Sequence, residues 1–75
     1  MTSSPHYLAD VIWELRRADH HKFAAEIRFH GESVGWYVAI YRDGDLLISL
    51  LFVRRAEAIG WANAERTKIE NRRDE

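Results

Sequence analysis

The chain has 75 residues, of which 11 are basic, 12 are acidic and none is cysteine, and its formal net charge is -1. A hydrophobic fraction of 47% with so little net charge excludes a disordered tail, and the lack of cysteine excludes disulfides. The length favours one small domain spanning residues 1–75. A domain of this size buries only about 60% of its unfolded surface, so a partner or a metal often supplies the missing stability.

The amino-terminal residues indicate where the protein resides. Met1 to Pro5 are polar and uncharged, and no apolar run of signal-peptide length follows them. The longest apolar-dominated run, Leu46 to Val53, is far shorter than the roughly 20 residues of a membrane helix. We therefore expect a cytoplasmic protein without a membrane span.

The first predicted element is an amphipathic helix. Ser3-Ser4-Pro5 offers a capping hydroxyl and a proline suited to the first helical turn. Apolar residues follow at the spacing i, i+3, i+4, i+7, namely Leu8, Val11, Ile12 and Leu15. The helix is expected to end near Ala18 to His20, with residues 1–4 frayed.

Three strands are predicted next, because the apolar period changes from helical to two. The first runs from Phe23 to about His30, and the second from Trp36 to Tyr41. Asp43-Gly44 between two apolar runs is a strong hairpin signal, so the third strand, Asp45 to Val53, is expected to return antiparallel to the second.

The length of this hairpin loop decides which residues share a face. A two-residue loop, Asp43-Gly44, places Tyr41 opposite Leu46. A three-residue loop with a glycine bulge places Tyr41 opposite Asp45, and this is the preferred register. It gathers on one face Trp36, Val38, Ile40, Leu46, Ile48, Leu50 and Phe52, and on the other Tyr37, Ala39, Tyr41, Leu47, Ser49, Leu51 and Val53.

A long second helix is predicted after Val53, with Ala58, Ala62 and Ile69 on its buried stripe and residues 72–75 frayed. The predicted fold is α+β with the order α-β-β-β-α, a three-stranded antiparallel meander with two helices. The simplest packing lays both helices on one face of the sheet. The alternative places one helix on each face and covers the whole sheet.

The predicted third strand is apolar on both of its faces, which suggests an interaction surface. Two helices on one face would leave the other exposed, and isolated monomers rarely expose large contiguous apolar areas. The sequence thus favours a small non-enzymatic module that forms a homodimer or docks on another protein. The expected anchors are Tyr37, Tyr41, Leu47 and Leu51, with Trp61 as a further candidate.

The alternative function is weak nucleic-acid binding. Arg54 and Arg55 lie where the sheet ends and the second helix begins, next to N–H groups that favour anions, and Arg42 lies at the hairpin tip. Nucleic-acid binders usually carry a positive excess, whereas acidic residues follow the basic pairs here, as in Arg55-Ala56-Glu57.

The sequence predicts no catalytic, cofactor or metal site. His20 and His21 are adjacent, so in an extended segment they point in opposite directions, and His6 and His30 lie elsewhere. No nucleophile elbow, phosphate loop or dinucleotide motif is present.

The segment from Trp36 to Arg66 resembles short bacterial and phage proteins with a hairpin-then-helix unit. It combines an aromatic strand, Arg42-Asp43-Gly44, an apolar strand ending in Phe52, and a helix opening with Arg55-x-Glu57-Ala58-x-x-Trp61-Ala62. The resemblance implies the fold of this unit, and a phage-type inhibitor of a host protein fits the interaction function. The whole-chain order is also similar to the double-stranded-RNA-binding domain, which implies phosphate contacts for Arg54 and Arg55; Ala56-Glu57-Ala58 departs from that motif.

Overall fold

The computed structural model describes residues 10–71, which form four β-strands followed by one α-helix. The strands are β1 (Asp10–Arg16), β2 (Lys22–Phe29), β3 (Trp36–Arg42) and β4 (Asp45–Phe52), and the helix is α1 (Arg55–Asn71). Each strand pairs antiparallel with the next, so the sheet order is β1-β2-β3-β4. The α+β class and the antiparallel sheet are confirmed, as are the strands predicted near β2, β3 and β4.

The predicted order α-β-β-β-α is wrong, because residues 10–16 form a strand and not the end of a helix. Trp13 and Leu15 lie opposite Ala25 and Phe23 of β2, on the face that α1 covers. The register shifts between Val11 and Trp13, and this β-bulge allows consecutive apolar residues to imitate a helical period. The predicted cap at Ser3 to Pro5 and the frayed ends lie outside the described residues.

The β3–β4 turn contains two residues, so the preferred three-residue loop is also wrong. Asp43 (φ 53°) and Gly44 (φ 89°) both have positive φ, as a type I′ turn requires, and Arg42 lies opposite Asp45. A bulge is present, but it lies inside β4. Tyr41 lies opposite Leu46, whereas the preceding Ile40 lies opposite Ile48.

The core lies between α1 and one face of the sheet, here called the helix face. The predicted stripe on α1 is confirmed, since Ala58, Ala62 and Ile69 are buried. The small side chains of the two alanines let the helix approach the sheet closely. The sheet contributes these fully or nearly buried residues: Trp13, Phe23, Ala25, Ile27, Val38 and Ile40.

The opposite face of the sheet, here called the open face, has no second layer within residues 10–71. Neither predicted arrangement of two helices is therefore observed in this part of the chain. The described residues extend 39 × 30 × 15 Å, a flat shape that matches one sheet with one helix on it. Within them, α1 is neither long nor apolar enough to cross a lipid bilayer.

Candidate interaction surface

The most exposed apolar part of the described chain is β4, which forms one edge of the sheet. Five of its aliphatic side chains are 40–56% exposed. We call this set the β4 surface, and it consists of Leu46, Leu47, Ile48, Leu50 and Leu51. No residue of β4 is fully buried, although six of its eight residues are large and apolar.

The exposure of β4 on both sides follows from its edge position. Ile48 and Leu50 are on the helix face, opposite Ile40 and Val38. Those β3 residues are buried, but Ile48 and Leu50 remain 42% and 40% exposed, because α1 does not cover the edge strand as it covers β3. Burial of these side chains therefore requires something beyond the described residues.

The backbone of β4 adds polar groups to this apolar edge. β4 pairs with β3 on one side and with no other strand among residues 10–71. An edge strand presents unpaired N–H and C=O groups, and proteins usually protect such edges with charges, proline or a very short strand. Between Asp45 and Arg54 the sequence has no charge and no proline. The β4 edge is thus open to pairing with another strand.

Four of the five residues expected to anchor a partner share the open face. Tyr37 lies opposite Leu51, and Tyr41 lies opposite Leu46. Leu47 precedes Ile48 of the helix face, so strand alternation places it on the open face as well. Both tyrosines are half-buried, and the ring of Tyr37 meets the ring of His30 edge-on at 5.5 Å between centroids.

Trp61, the fifth expected anchor, lies on the other side of the sheet. It is half-buried on α1, where its ring centroid is 5.7 Å from that of Phe52. The structure therefore assembles Tyr37, Tyr41, Leu47 and Leu51 without Trp61, which packs against the core.

Three exposed residues of the β4 surface were assigned to the covered face by the sequence. Leu46 is on the open face instead, because the bulge reverses its side relative to Ile48. Ile48 and Leu50 are on the predicted face but are not covered. β4 is the last strand of a simple meander and is therefore an edge strand. This place in the strand order is the sequence signal that could have identified Ile48 and Leu50 as exposed.

The β1–β2 half of the open face is charged rather than apolar. It forms a shallow depression of about 750 Å³ whose charged lining residues are Glu14, Arg16, Lys22, Glu26, Arg28 and Asp43. Three are acidic and three basic, and Arg28 lies 3.7 Å from Glu26. The balance gives this half no clear preference for anions or cations.

The arginines expected to hold nucleic acid do not form one surface. Arg42 ends β3, whereas Arg54 and Arg55 lie beyond the end of β4, near the start of β3. Seven strand residues separate these two ends by about 20 Å. The guanidinium of Arg55 lies 5.7 Å from the ring centroid of Trp36, and Glu57 occupies the first turn of α1, where it competes with an anion for the helix N-terminus.

The closest contact between titratable side chains joins the β1–β2 turn to the β3–β4 turn. His21 Nδ1 lies 2.7 Å from Asp43 Oδ2, and the backbone N–H of Lys22 donates to Asp43 Oδ1 at 2.9 Å. The Lys22 N–H bond, followed by the bond to His21, holds the pKa of Asp43 below its ordinary value. No group of three or more metal-binding side chains occurs in the described part of the chain.

Comparison with known proteins adds no relative: no family model, curated protein or solved structure matches this chain.

Proposed function

We propose that this protein is a small interaction module that binds protein through the β4 surface and the adjoining tyrosines of β3. The observation that carries the proposal is an edge strand that is apolar on both faces, 40–56% exposed at five aliphatic positions, and without charged or proline residues between Asp45 and Arg54. Single exposed aliphatic residues are common, but a contiguous set beside unpaired backbone groups marks an association site.

Two further features support binding of protein over other ligands. The aromatic rings of Tyr37 and Tyr41 lie next to Leu51 and Leu46, which gives the mixture of aromatic and aliphatic groups typical of binding hot spots. The depression beside this surface is open to solvent and lined by charges, which suits a small molecule less than an enclosed, mostly apolar cavity would. A non-enzymatic role, a cytoplasmic location and action as a phage-type inhibitor belong to this proposal.

Nucleic-acid binding is not proposed as a second function. The expected contact residues Arg42, Arg54 and Arg55 lie at opposite ends of the β3–β4 hairpin, and no described feature favours phosphate between them.

Site-specific photo-crosslinking in cells tests the proposal. A photoreactive phenylalanine analogue replaces Leu47 in one variant and Val11 in another. Val11 is the matched control, because it also lies on an edge strand and is 53% exposed, close to the 47% of Leu47. We expect a covalent protein adduct of defined mass at position 47 and none at position 11.

A charge on the β4 surface provides the second half of this test. Leu51→Glu places a carboxylate on a side chain that is already 56% exposed, so the fold should tolerate it. The adduct at position 47 should disappear in the Leu51→Glu background and persist in a Val11→Glu background. Equal adduct yields at positions 47 and 11, or no adduct at either, would refute the proposed function.

A further inference from the structure

We infer that the partner of β4 is the β4 strand of a second copy of this chain, paired antiparallel about a two-fold axis through Ser49. This inference rests on the proposed function and specifies its partner. The pairing joins two four-stranded sheets into one continuous sheet of eight strands, in which neither copy leaves its β4 edge open.

The sequence of β4 reads almost alike in both directions, which is what self-pairing requires. A two-fold interface brings the same surface of each copy together, so it must be complementary to itself. Around Ser49 the regular part of β4 carries Leu47-Ile48-Ser49-Leu50-Leu51, in which two aliphatic residues flank the serine on each side. A strand evolved to bind an unrelated chain has no need of this symmetry.

The register follows from matching faces. Directly opposite residues of antiparallel strands lie on the same face of a sheet, so an axis through Ser49 pairs open face with open face and helix face with helix face over residues 47–51, which lie on the regular side of the bulge. Leu47 then lies opposite the second copy's Leu51, and Ile48 opposite the second copy's Leu50. Moving the axis to Ile48 would instead place Ser49 opposite the second copy's Leu47, a polar side chain against an apolar one.

The charges at the two ends of β4 also favour the antiparallel dimer. Asp45 begins the strand, and Arg54 follows its end, with no charge between them. With the axis at Ser49, the Asp45 end of each β4 strand lies beside the Arg54 end of the other copy's strand. Acid therefore meets base at both ends of the interface, and no like charges are brought together.

The dimer also accounts for the incomplete cover of the helix face. An axis perpendicular to the sheet keeps both α1 helices on the same face. Ile48 and Leu50 from both copies then line the strip between the two helices, where each shields the exposed side of its counterpart. The same pairing buries Leu47 and Leu51 on the open face.

Cysteine crosslinking tests the register, because the natural chain contains no cysteine. Ser49→Cys places two thiols opposite each other across the axis, at the Cβ separation of about 4.5–5.5 Å found between facing strand residues. Ser33→Cys, in the exposed β2–β3 turn, is the matched control. Under mild oxidation we expect disulfide dimer from Ser49→Cys at least about tenfold faster than from Ser33→Cys, because pairing raises the effective thiol concentration.

A second pair of variants separates strand pairing from chance contact. Leu47→Cys alone should crosslink poorly, since two copies of position 47 lie about 13 Å apart along the paired strands. A mixture of Leu47→Cys and Leu51→Cys should crosslink efficiently, because these positions face each other. Adding Leu51→Glu to Ser49→Cys should abolish its crosslinking while the circular dichroism spectrum stays unchanged.

The natural chain should sediment at twice its monomer mass in the same buffer. A monomer at every concentration, or equal crosslinking of Ser49→Cys and Ser33→Cys, overturns the second-copy inference. In that case a photo-adduct of a different protein at position 47 still upholds the proposed function, whereas the lack of any adduct there refutes both.

Discussion

Single residues fix both ends of β4. At its start, Asp43 has positive φ in the turn, and its N–H donates to the carbonyl of Lys22 at 2.7 Å. At its end, Gly35 (φ 104°) packs so closely that a Cβ atom there would overlap the carbonyl oxygen of Phe52. A strand fixed at both ends loses less conformational entropy when it pairs, which strengthens association.

The contacts of Asp43 predict a pH-dependent stability. The Lys22 N–H bond and the His21 contact lower its pKa in the folded state, so the folded protein favours the ionised carboxylate. This contribution is complete at neutral pH and is lost as the pH falls through about 4, the unfolded pKa, toward the lower folded pKa. Asp43→Asn keeps a residue that tolerates positive φ but removes the charge.

We therefore expect Asp43→Asn to lower the urea midpoint at pH 7 and to approach the natural protein below about pH 4. Glu32→Gln, which removes one negative charge from the exposed β2–β3 turn, should show no such convergence. A difference between Asp43→Asn and the natural protein that stays constant from neutral to acid pH would contradict the assigned role.

At the scale of elements, side-chain hydrogen bonds from β1 and from Arg17, the residue directly after it, hold this strand to α1. The indole N–H of Trp13 donates to the carbonyl of Ala62 at 2.9 Å within the core, and Arg17 donates to the carbonyl of Ile69 at 3.3 Å. Helix and strand are thus joined by bonds that span 49 and 52 residues of sequence. These bonds make β1 part of the core although it is an edge strand.

Trp13→Phe should destabilise the fold by about 1–3 kcal/mol, because it removes a buried hydrogen bond and leaves a cavity. Urea unfolding measures this change. Trp61→Phe is the control, since Trp61 is only half-buried and its indole makes no hydrogen bond among the described residues, so a smaller loss is expected. Equal losses for both variants would argue against a special role for the bond to Ala62.

The sequence predicts most elements correctly because their signals are local. Alternation identifies β2 and β3, Asp43-Gly44 identifies the hairpin, and the stripe containing Ala58 and Ala62 identifies α1. The spacing of Val11, Ile12 and Leu15 predicts a helix where the structure has β1. The sequence of this segment fits both a helical and a strand period, and only pairing with β2 decides between them.

Some residues of the candidate site could be predicted from the sequence, and others depend on tertiary packing. The open face does contain the predicted set Tyr37, Tyr41, Leu47 and Leu51, but by a different register: a two-residue turn followed by the bulge in β4 gives the same grouping as the predicted three-residue loop. The side of Leu46 depends on a bulge that no local signal marks, and the exposure of Ile48 and Leu50 depends on how much of the sheet α1 covers. Such properties arise from tertiary packing, so single-residue patterns do not reveal them.

At the scale of the whole molecule, one helix on a four-stranded sheet leaves a small core. Much of the aliphatic surface of β4 lies outside it, so further burial of these side chains requires contacts beyond residues 10–71. If that association is the inferred dimer, folding and dimerisation are coupled, and stability depends on the concentration of the chain. A monomeric fold of the same size would show no such dependence.

Thermal unfolding across concentrations tests this coupling. For a dimer of 75-residue chains that unfolds as it dissociates, each tenfold rise in concentration should raise Tm by about 4 °C, because it adds about 1.4 kcal/mol to a transition with the entropy of both chains. Leu51→Glu should unfold at a lower Tm that does not change with concentration. Val11→Glu should keep the slope of the natural protein, since Val11 lies on the opposite edge of the sheet. A constant Tm for the natural protein would show that each copy folds alone and would contradict the inferred dimer.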